Sequence, residues 1–596
     1  FFDRRVAGSN LGAPYNLPIT LDKGGKFYKK PGFYPQDWNN FGPSIALAWS
    51  PNFKGFLGKA LGSDSRSVFR GGFRITYDHI GGQLAVNFDA SNQLGFASAL
   101  SIPVNTYNVT TSLAPLFTGG TPDVRTFPGI VGNFSGQLTF PLTQPSDQAQ
   151  RIETSLDSRI STPYNYNIAF SYERELGKGF KIQGAYVGRL ARNLLAQRDV
   201  ATFNNIRDPK SGMTFYQAMA QLINLRYQGT AVTAVPAIPW FENFLPGLAG
   251  NFSVLGVSQK LTASQRAYQR IAYPSVGGIS GGFADYTFRQ LQWDDAPVSL
   301  INNLFVHPQY AALTTWTTIA KSNYHSGQIT LTERLRQDVV FDLNYTIGHS
   351  LDNASGLQSA GNYSTAALIF NPLDLDSQYG TSDFDVRHIV NANWIVGLPF
   401  GRNKWLAHNA NKWVNGIIGG WQSAGIFRWN SGFPVATPFG SQRWPTNWQI
   451  SSFLVRTRAL VSTPTKTSAG GPNLFGDPLA ALLSFRDSMP GEGGDRNFLR
   501  LPGYFALDSS LTKSFRIGER QSVTLKWEVF NVTNTQRLAG PSGFGVSAID
   551  PFMQGQFGLA AITTAPTNFG VLSTTQKPLG ETKAGRTMQF ALRWQF

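Results

Sequence analysis

Tyr164-Asn165-Tyr166-Asn167-Ile168-Ala169-Phe170-Ser171-Tyr172 alternates without a break. Tyr164, Tyr166, Ile168, Phe170 and Tyr172 point one way; Asn165, Asn167, Ala169 and Ser171 point the other. Period two is the geometry of a β-strand with two unlike faces. One such strand fits a soluble sandwich as well as a membrane wall, because either face could be the buried one. The decision rests on how often the pattern returns and on what joins the copies.

It returns along the whole chain. Upstream lie Ser44–Ser50, with Ile45, Leu47 and Trp49 on one face, and Phe69–Asp78, where Phe69, Phe73, Ile75 and Tyr77 oppose Arg70, Arg74, Thr76 and Asp78. Downstream come Phe180–Arg189, Gln328–Arg336, Val339–Gly348, Val390–Leu398, Trp421–Asn430, Phe505–Phe515 and Val523–Phe530. The chain closes with Met588, Phe590, Leu592, Trp594 and Phe596 alternating with Gln589, Ala591, Arg593 and Gln595. That makes 11 expected strands. Their connections alternate in length: 51–68, 177–179, 337–338, 399–420 and 516–522 are short, and 79–163, 190–327, 349–389, 431–504 and 531–587 are long. Short periplasmic turns and long extracellular loops in strict alternation characterise transmembrane barrels, and a soluble sandwich has no reason to keep that order. The expected fold is therefore all-β, a transmembrane antiparallel β-barrel. Its long loops contain short helices, expected at 211–226 (stripe Phe215, Met219, Leu222, Leu225) and at 262–272.

Composition agrees. Charged residues make up 14% of the 596, against about 25% in an average soluble domain. Aromatics reach 13%, yet mean hydropathy is only −0.17. Strands with one lipid face and one polar face give that balance. No stretch of 18 uncharged apolar residues offers a transmembrane helix. Absence of cysteine removes disulfides, thiolate metal sites and cysteine nucleophiles. The net charge of +16 is scattered, with no run of five like charges, so nucleic acid is not an expected partner.

Three sets of residues stand out. The terminal run Met588, Phe590, Leu592, Trp594 and Phe596 has the form of a signal read by a barrel-assembly machinery through strand addition. Trp49, Tyr77, Tyr172, Tyr186, Trp394, Trp421, Trp527 and Trp594 suit the headgroup level of outer-membrane lipids. Arg70, Arg74, Asn165, Asn167, Asp342, Asn344 and Asn393 are expected to face the lumen. Catalytic signals are weak. Gly278-Ile279-Ser280-Gly281-Gly282 matches a nucleophile elbow but lies in a Gly-rich loop, without the strand and helix that motif needs. None of the six His has metal spacing. Asp374, Asp376, Asp383 and Asp385 share one loop and carry the hard oxygens calcium takes, although solvated loop acids explain them better. No enzyme and no resident cofactor is expected.

Several short motifs, in order and spacing, carry a family resemblance. They are Asn39-Asn40-Phe41-Gly42-Pro43, Phe69-Arg70-Gly71-Gly72-Phe73, Tyr186-Val187-Gly188-Arg189, Ser382-Asp383-Phe384-Asp385-Val386-Arg387-His388, Leu398-Pro399-Phe400-Gly401-Arg402, Gly419-Gly420-Trp421-Gln422, Ser431-Gly432-Phe433-Pro434 and Glu528-Val529-Phe530-Asn531-Val532-Thr533-Asn534. On these the chain resembles the barrel of Oar-like TonB-dependent outer-membrane transporters. The resemblance implies a Gram-negative outer-membrane protein that moves a large or scarce solute (peptide, protein or oligosaccharide), with TonB as partner through an N-terminal region. Single-chain barrels have even strand numbers. Eleven strands therefore lead to the expectation that 1–596 is one barrel domain truncated at its N-terminus, with plug, signal peptide and first strands upstream. The competing expectation is a non-transporting surface barrel, an adhesin or structural protein.

Overall fold

The computed structural model describes the chain outside residues 79–139, 273–302, 356–366, 436–452, 539–562 and 576–584, and outside shorter stretches at 23, 31, 33–35, 57, 59–61, 63–65, 148–150, 178, 255, 337–338, 461–464, 468–470, 487 and 518–519. Eleven strands follow one another in a single antiparallel path: β1 (Ser44–Trp49), β2 (Ser67–Tyr77), β3 (Tyr164–Gly177), β4 (Phe180–Asp199), β5 (Tyr310–Arg336), β6 (Val339–Asp352), β7 (His388–Gly397), β8 (Trp421–Asn430), β9 (Tyr504–Ile517), β10 (Gln521–Phe530) and β11 (Thr587–Gln595). These are the eleven segments the alternation marks. Each strand pairs with its neighbours in sequence order, the pattern that connections at alternate ends produce. Among the described residues, β1 and β11 each pair on one side only, and every residue of both is exposed.

Register turns the sequence alternation into two faces. Directly opposed residues run Trp49–Phe69–Tyr172–Gly184–Ile329–Tyr345–Val390–Trp429–Phe505 across nine strands. On the other face Glu173–Gln183–Thr330–Asn344–Asn391–Arg428 run side by side. Because side chains alternate with period two, a one-residue slip anywhere would exchange these rows. The tight β3–β4 turn is made by Gly177 and Gly179, both at φ +87, where L side chains are strained.

The long connections are more than surface loops. β4 has 20 residues and β5 has 27, roughly 65 and 90 Å at about 3.3 Å per residue. A membrane strand needs only about 9–11 residues. The sequence places the ends of this pair at Arg189 and Gln328; the strands continue to Asp199 and begin at Tyr310. The extra length forms a ribbon joined by two parallel additions, Arg151–Leu156 on β5 and Leu368–Ile369 on β4. Pairing is interrupted between Thr318 and Ala320 and between Ala320 and Ser322.

The ribbon carries a packed head. Helix α1 (Phe2–Asn10) docks against it, with Phe2 beside Val200, Tyr310 and Leu313. Helices α2 (Phe215–Tyr227), α3 (Pro239–Phe244) and α4 (Ala263–Ala272) enclose a core of Phe215, Met219, Leu222, Trp240, Phe241, Tyr268 and Phe305. Each fully buried side chain of this kind contributes roughly 1.5–3 kcal/mol. Both expected helices exist. Capping sets the first: the Gln217 N–H donates to Thr214 Oγ1 at 3.4 Å and the Thr214 N–H to Gln217 Oε1 at 2.9 Å. Thr262 and Gln265 repeat the arrangement before α4. A second core, around Leu474, Phe475, Leu482, Phe485, Phe569 and Leu572, joins the last two long connections.

Candidate functional site: a polar strand face beneath a packed head

The seven polar strand residues fall on one face in two groups. Arg74 lies opposite Asn167, whose side chain donates to Thr76 Oγ1 at 3.0 Å, while Asn165 donates to Asn167 at 3.3 Å. Arg70 pairs with Glu173 at 2.8 Å. Four strands away, Asp342 is opposite Asn393 and Asn344 opposite Asn391, and Thr330 donates to Asn344 at 2.9 Å. Gln183, Gln328 and Thr330, not singled out in the sequence, bridge the two groups on β4 and β5. The face also holds Val340, Ile395 and Ile426, so it is mixed rather than uniformly polar near β6–β8. Amides, hydroxyls and both signs of charge give it capacity for many weak contacts, with no constellation for bond-making chemistry.

All eight marked aromatics sit on the opposite face. Trp49, Tyr172, Trp394, Trp421 and Trp594 lie toward the short-connection end, and Tyr77 toward the head; Tyr186 and Trp527 are nearer mid-strand. Tyr186 donates or accepts at His325 Nδ1, 2.7 Å away. Along β11, Met588, Phe590, Leu592 and Trp594 are 47–78% exposed, and Phe596 beyond it is 95% exposed. The Trp527 and Phe590 rings stack at 5.9 Å. Lys513 is a cation on this apolar face, opposite Trp421 and Leu525, which the alternation alone did not mark.

At the head end, the motif 382–388 is a clamp. Asp385 accepts the Ser350 N–H at 2.7 Å and pairs with Arg500, with His349 Nδ1 at 3.3 Å. Burial would raise this carboxyl, but those donors hold it below the usual carboxylate range. Arg496 reaches Asp352 at 2.7 Å and Asp383 at 2.9 Å, and Asn497 also donates to Asp383. Asp376 pairs with Lys321 at 2.7 Å, and Asp374 accepts the Asp376 N–H. The four acids of the calcium reading are thus divided among separate partners. Among the described residues no group of three or more His, Asp or Glu is arranged to hold a metal ion. Gly278–Gly282 lies outside the described residues. A cavity of about 430 Å³ separates α1 from Thr202–Asn205 and Leu373. Its cation Arg5 is committed to Thr202 O, Tyr15 O and Asn16 Oδ1.

Comparison with known proteins adds the family. A search of curated proteins gives no match. Among solved structures the chain is similar to the siderophore receptor PirA from Acinetobacter baumannii (8% identity, 93% of this chain and 41% of that one, TM-score 0.32). Others are the ferric enterobactin receptor PfeA of Pseudomonas aeruginosa (9%, 93% and 40%, 0.31) and the outer membrane transporter YddB of Escherichia coli (10%, 79% and 35%, 0.29). The chain thus spans about two fifths or less of the length of these three proteins. The family model for an outer membrane beta barrel domain matches residues 6–589. With eleven meandering strands and two unlike faces, the chain belongs to that family of outer-membrane β-barrels, which places it in the Gram-negative outer membrane.

Proposed function

We propose that these strands form part of the wall of a transporter of large or scarce solutes, in the manner of Oar-like TonB-dependent receptors. The observation that carries the reading is the row Glu173–Gln183–Thr330–Asn344–Asn391–Arg428, a continuous polar row on a mixed face that backs an apolar one. In this reading the apolar face meets lipid, and Arg70, Arg74, Asn165, Asn167, Asp342, Asn344 and Asn393 line the lumen. Among the described residues β1 and β11 each pair on one side only, so a closed wall calls for further strands, and TonB coupling calls for a plug. The terminal run on β11 would dock to the assembly machinery by strand addition. Peptides, proteins or oligosaccharides suit a lumen of amides and mixed charges.

The packed head favours a second reading, a surface barrel that presents the head and transports nothing. The intact mass of the native protein from an outer-membrane fraction separates the two. A mass far above 65.4 kDa, with plug and TonB box in the added sequence, is the expected result. A mass of 65.4 kDa overturns TonB coupling and leaves the surface barrel.

A further inference from the structure

The connection between β7 and β8, residues 398–420, is built as a fixed element at the end of the wall away from the head. Helix α5 (Lys412–Ile418) starts at Asn411, whose side chain accepts the Val414 N–H at 2.8 Å. The Asn415 side chain accepts the Arg402 N–H at 2.6 Å and ties the helix to the preceding loop. At Gly419 a Cβ would meet Asn415 Oδ1 at 2.4 Å, so this packing requires glycine. The Leu406 N–H donates to Pro399 O at 2.8 Å, closing a loop that holds Trp405 outward.

This ordered element turns its apolar groups to the outside. Trp405 is 84% exposed, Trp413 86% and Ile417 72%, with Phe400, Leu406 and Val414 also exposed. Trp413 and Ile417 are four residues apart on one helix face. Its charges are all of one sign: Arg402, Lys404 and Lys412, with no Asp or Glu between 398 and 420. The element is also continuous with the apolar face of the wall. Trp421 Nε1 donates to Ile417 O at 2.8 Å. Lys513, on the same face, donates to the carbonyls of Gly416 and Ile417, its ammonium close to the Trp421 and Phe515 rings. A cation at the last turn of a helix interacts favourably with the carbonyls gathered there. Lys513 therefore sets its ammonium against helix-end carbonyls on an apolar surface and fastens α5 to the wall.

We propose that residues 398–420 are an in-plane membrane anchor. Trp405, Trp413 and Ile417 insert at the headgroup level of the periplasmic leaflet, and Arg402, Lys404 and Lys412 bind anionic phospholipid headgroups. Amphipathic rings favour that depth, and short basic amphipathic segments bind such surfaces through apolar area plus charge. The inference rests on the reading that the apolar strand face meets lipid.

These 596 residues contain no cysteine, so each cysteine introduced below is unique within them. The full protein carrying W413C, W405C, I329C (apolar face, mid-wall) or L11C (exposed, in the head) is labelled with an environment-sensitive fluorophore. It is then reconstituted into phosphatidylethanolamine–phosphatidylglycerol vesicles containing lipids with nitroxides at defined depths. The labels at 413 and 405 are expected to be quenched several-fold more by shallow than by deep nitroxides, with L11C unquenched. Changing Arg402, Lys404 and Lys412 together to Gln is expected to reduce that quenching. Labels at 413 and 405 that behave like L11C while I329C is deeply quenched overturn the anchor alone. An unquenched I329C overturns the lipid-face reading beneath it. Shielding in native outer membranes but not in these vesicles overturns the anchor in favour of a protein partner.

Discussion

The wall and the head use the same residue types for opposite ends. In the head, Trp240, Phe215 and Phe305 are 0–1% exposed. In the wall, away from its edges, Phe170, Ile329 and Ile347 are 48–51% exposed. A soluble fold cannot leave such a band bare, since exposed apolar patches of that extent mark a binding surface or a membrane. The head closes its core on itself; the wall, in the reading proposed above, leaves its counterpart to the surrounding lipid. Their stabilities should therefore answer to different variables, packing and protonation for the head, strand pairing and lipid for the wall.

The sharpest way to break that comparison is to empty the head. Trp240 is fully buried and its Nε1 donates to Ile206 O at 2.9 Å. Trp240→Ala should cost about 4 kcal/mol of head stability. Hydrogen exchange should rise across α2–α4, while the wall keeps its heat-modifiable mobility on gels. Loss of the folded wall at the same time would mean the two regions are one cooperative unit.

Protonation comes next. His307 is held neutral, its pKa lowered to about 4 by burial and by the nearby Arg5 charge, against a partial opposing effect from its bond to Leu17 O. The Gln309 N–H points at its Nδ1. The folded value lies below the unfolded value of about 6.5. The unfolded state therefore binds the proton first, and stability present above pH 6.5 is lost as pH falls toward 4. The loss amounts to roughly 3 kcal/mol from this one group. Exchange protection of the head should fall through that window and the fall should flatten in His307→Gln; an unchanged slope in the variant would assign the effect elsewhere.

The smallest expected effect lies at the wall's edge. Phe596→Ser with Trp594→Ser removes two apolar groups that touch little within the chain, so folded-state stability should move by under about 1 kcal/mol. The yield of assembled, heat-modifiable barrel should nonetheless drop several-fold, more than after a matched change in the head. Equal yields would remove the assembly signal from β11.

Legibility in the sequence follows the same division. Where one face of a strand is apolar and the other polar, alternation survives, and all eleven wall strands could be read. It vanished at Leu194–Asp199 and Tyr310–Thr317, because the head buries both faces there and continuous runs such as Tyr310-Ala311-Ala312-Leu313 lose their period. The parallel additions Arg151–Leu156 and Leu368–Ile369 are long-range pairings with no local signal. The seven lumen candidates were legible as a face but not as two groups joined through Gln183, Gln328 and Thr330. Trp405 and Trp413 lie in a short connection outside every alternating segment, where period two marks nothing. Two Trp with only basic charges in one turn was the available signal. The partners of the acidic loop were not legible either: nothing in Asp374, Asp376, Asp383 and Asp385 announces Lys321, Arg496 or Arg500.

The ribbon of β4 and β5 has a mechanical consequence. Hydrogen-bonded register runs from Phe180–Glu333 to Asp199–Thr314, so wall and head share one two-strand beam with no hinge loop. Its flaw is local: the interrupted pairing at Thr318–Ser322 faces Asn193, at φ +53. Such bulges bend a strand and increase its twist. A sideways load on the head would reach the wall as torque rather than be lost in swivelling. The angle at which the head stands is written into those few residues, where adding or removing one would re-aim everything above.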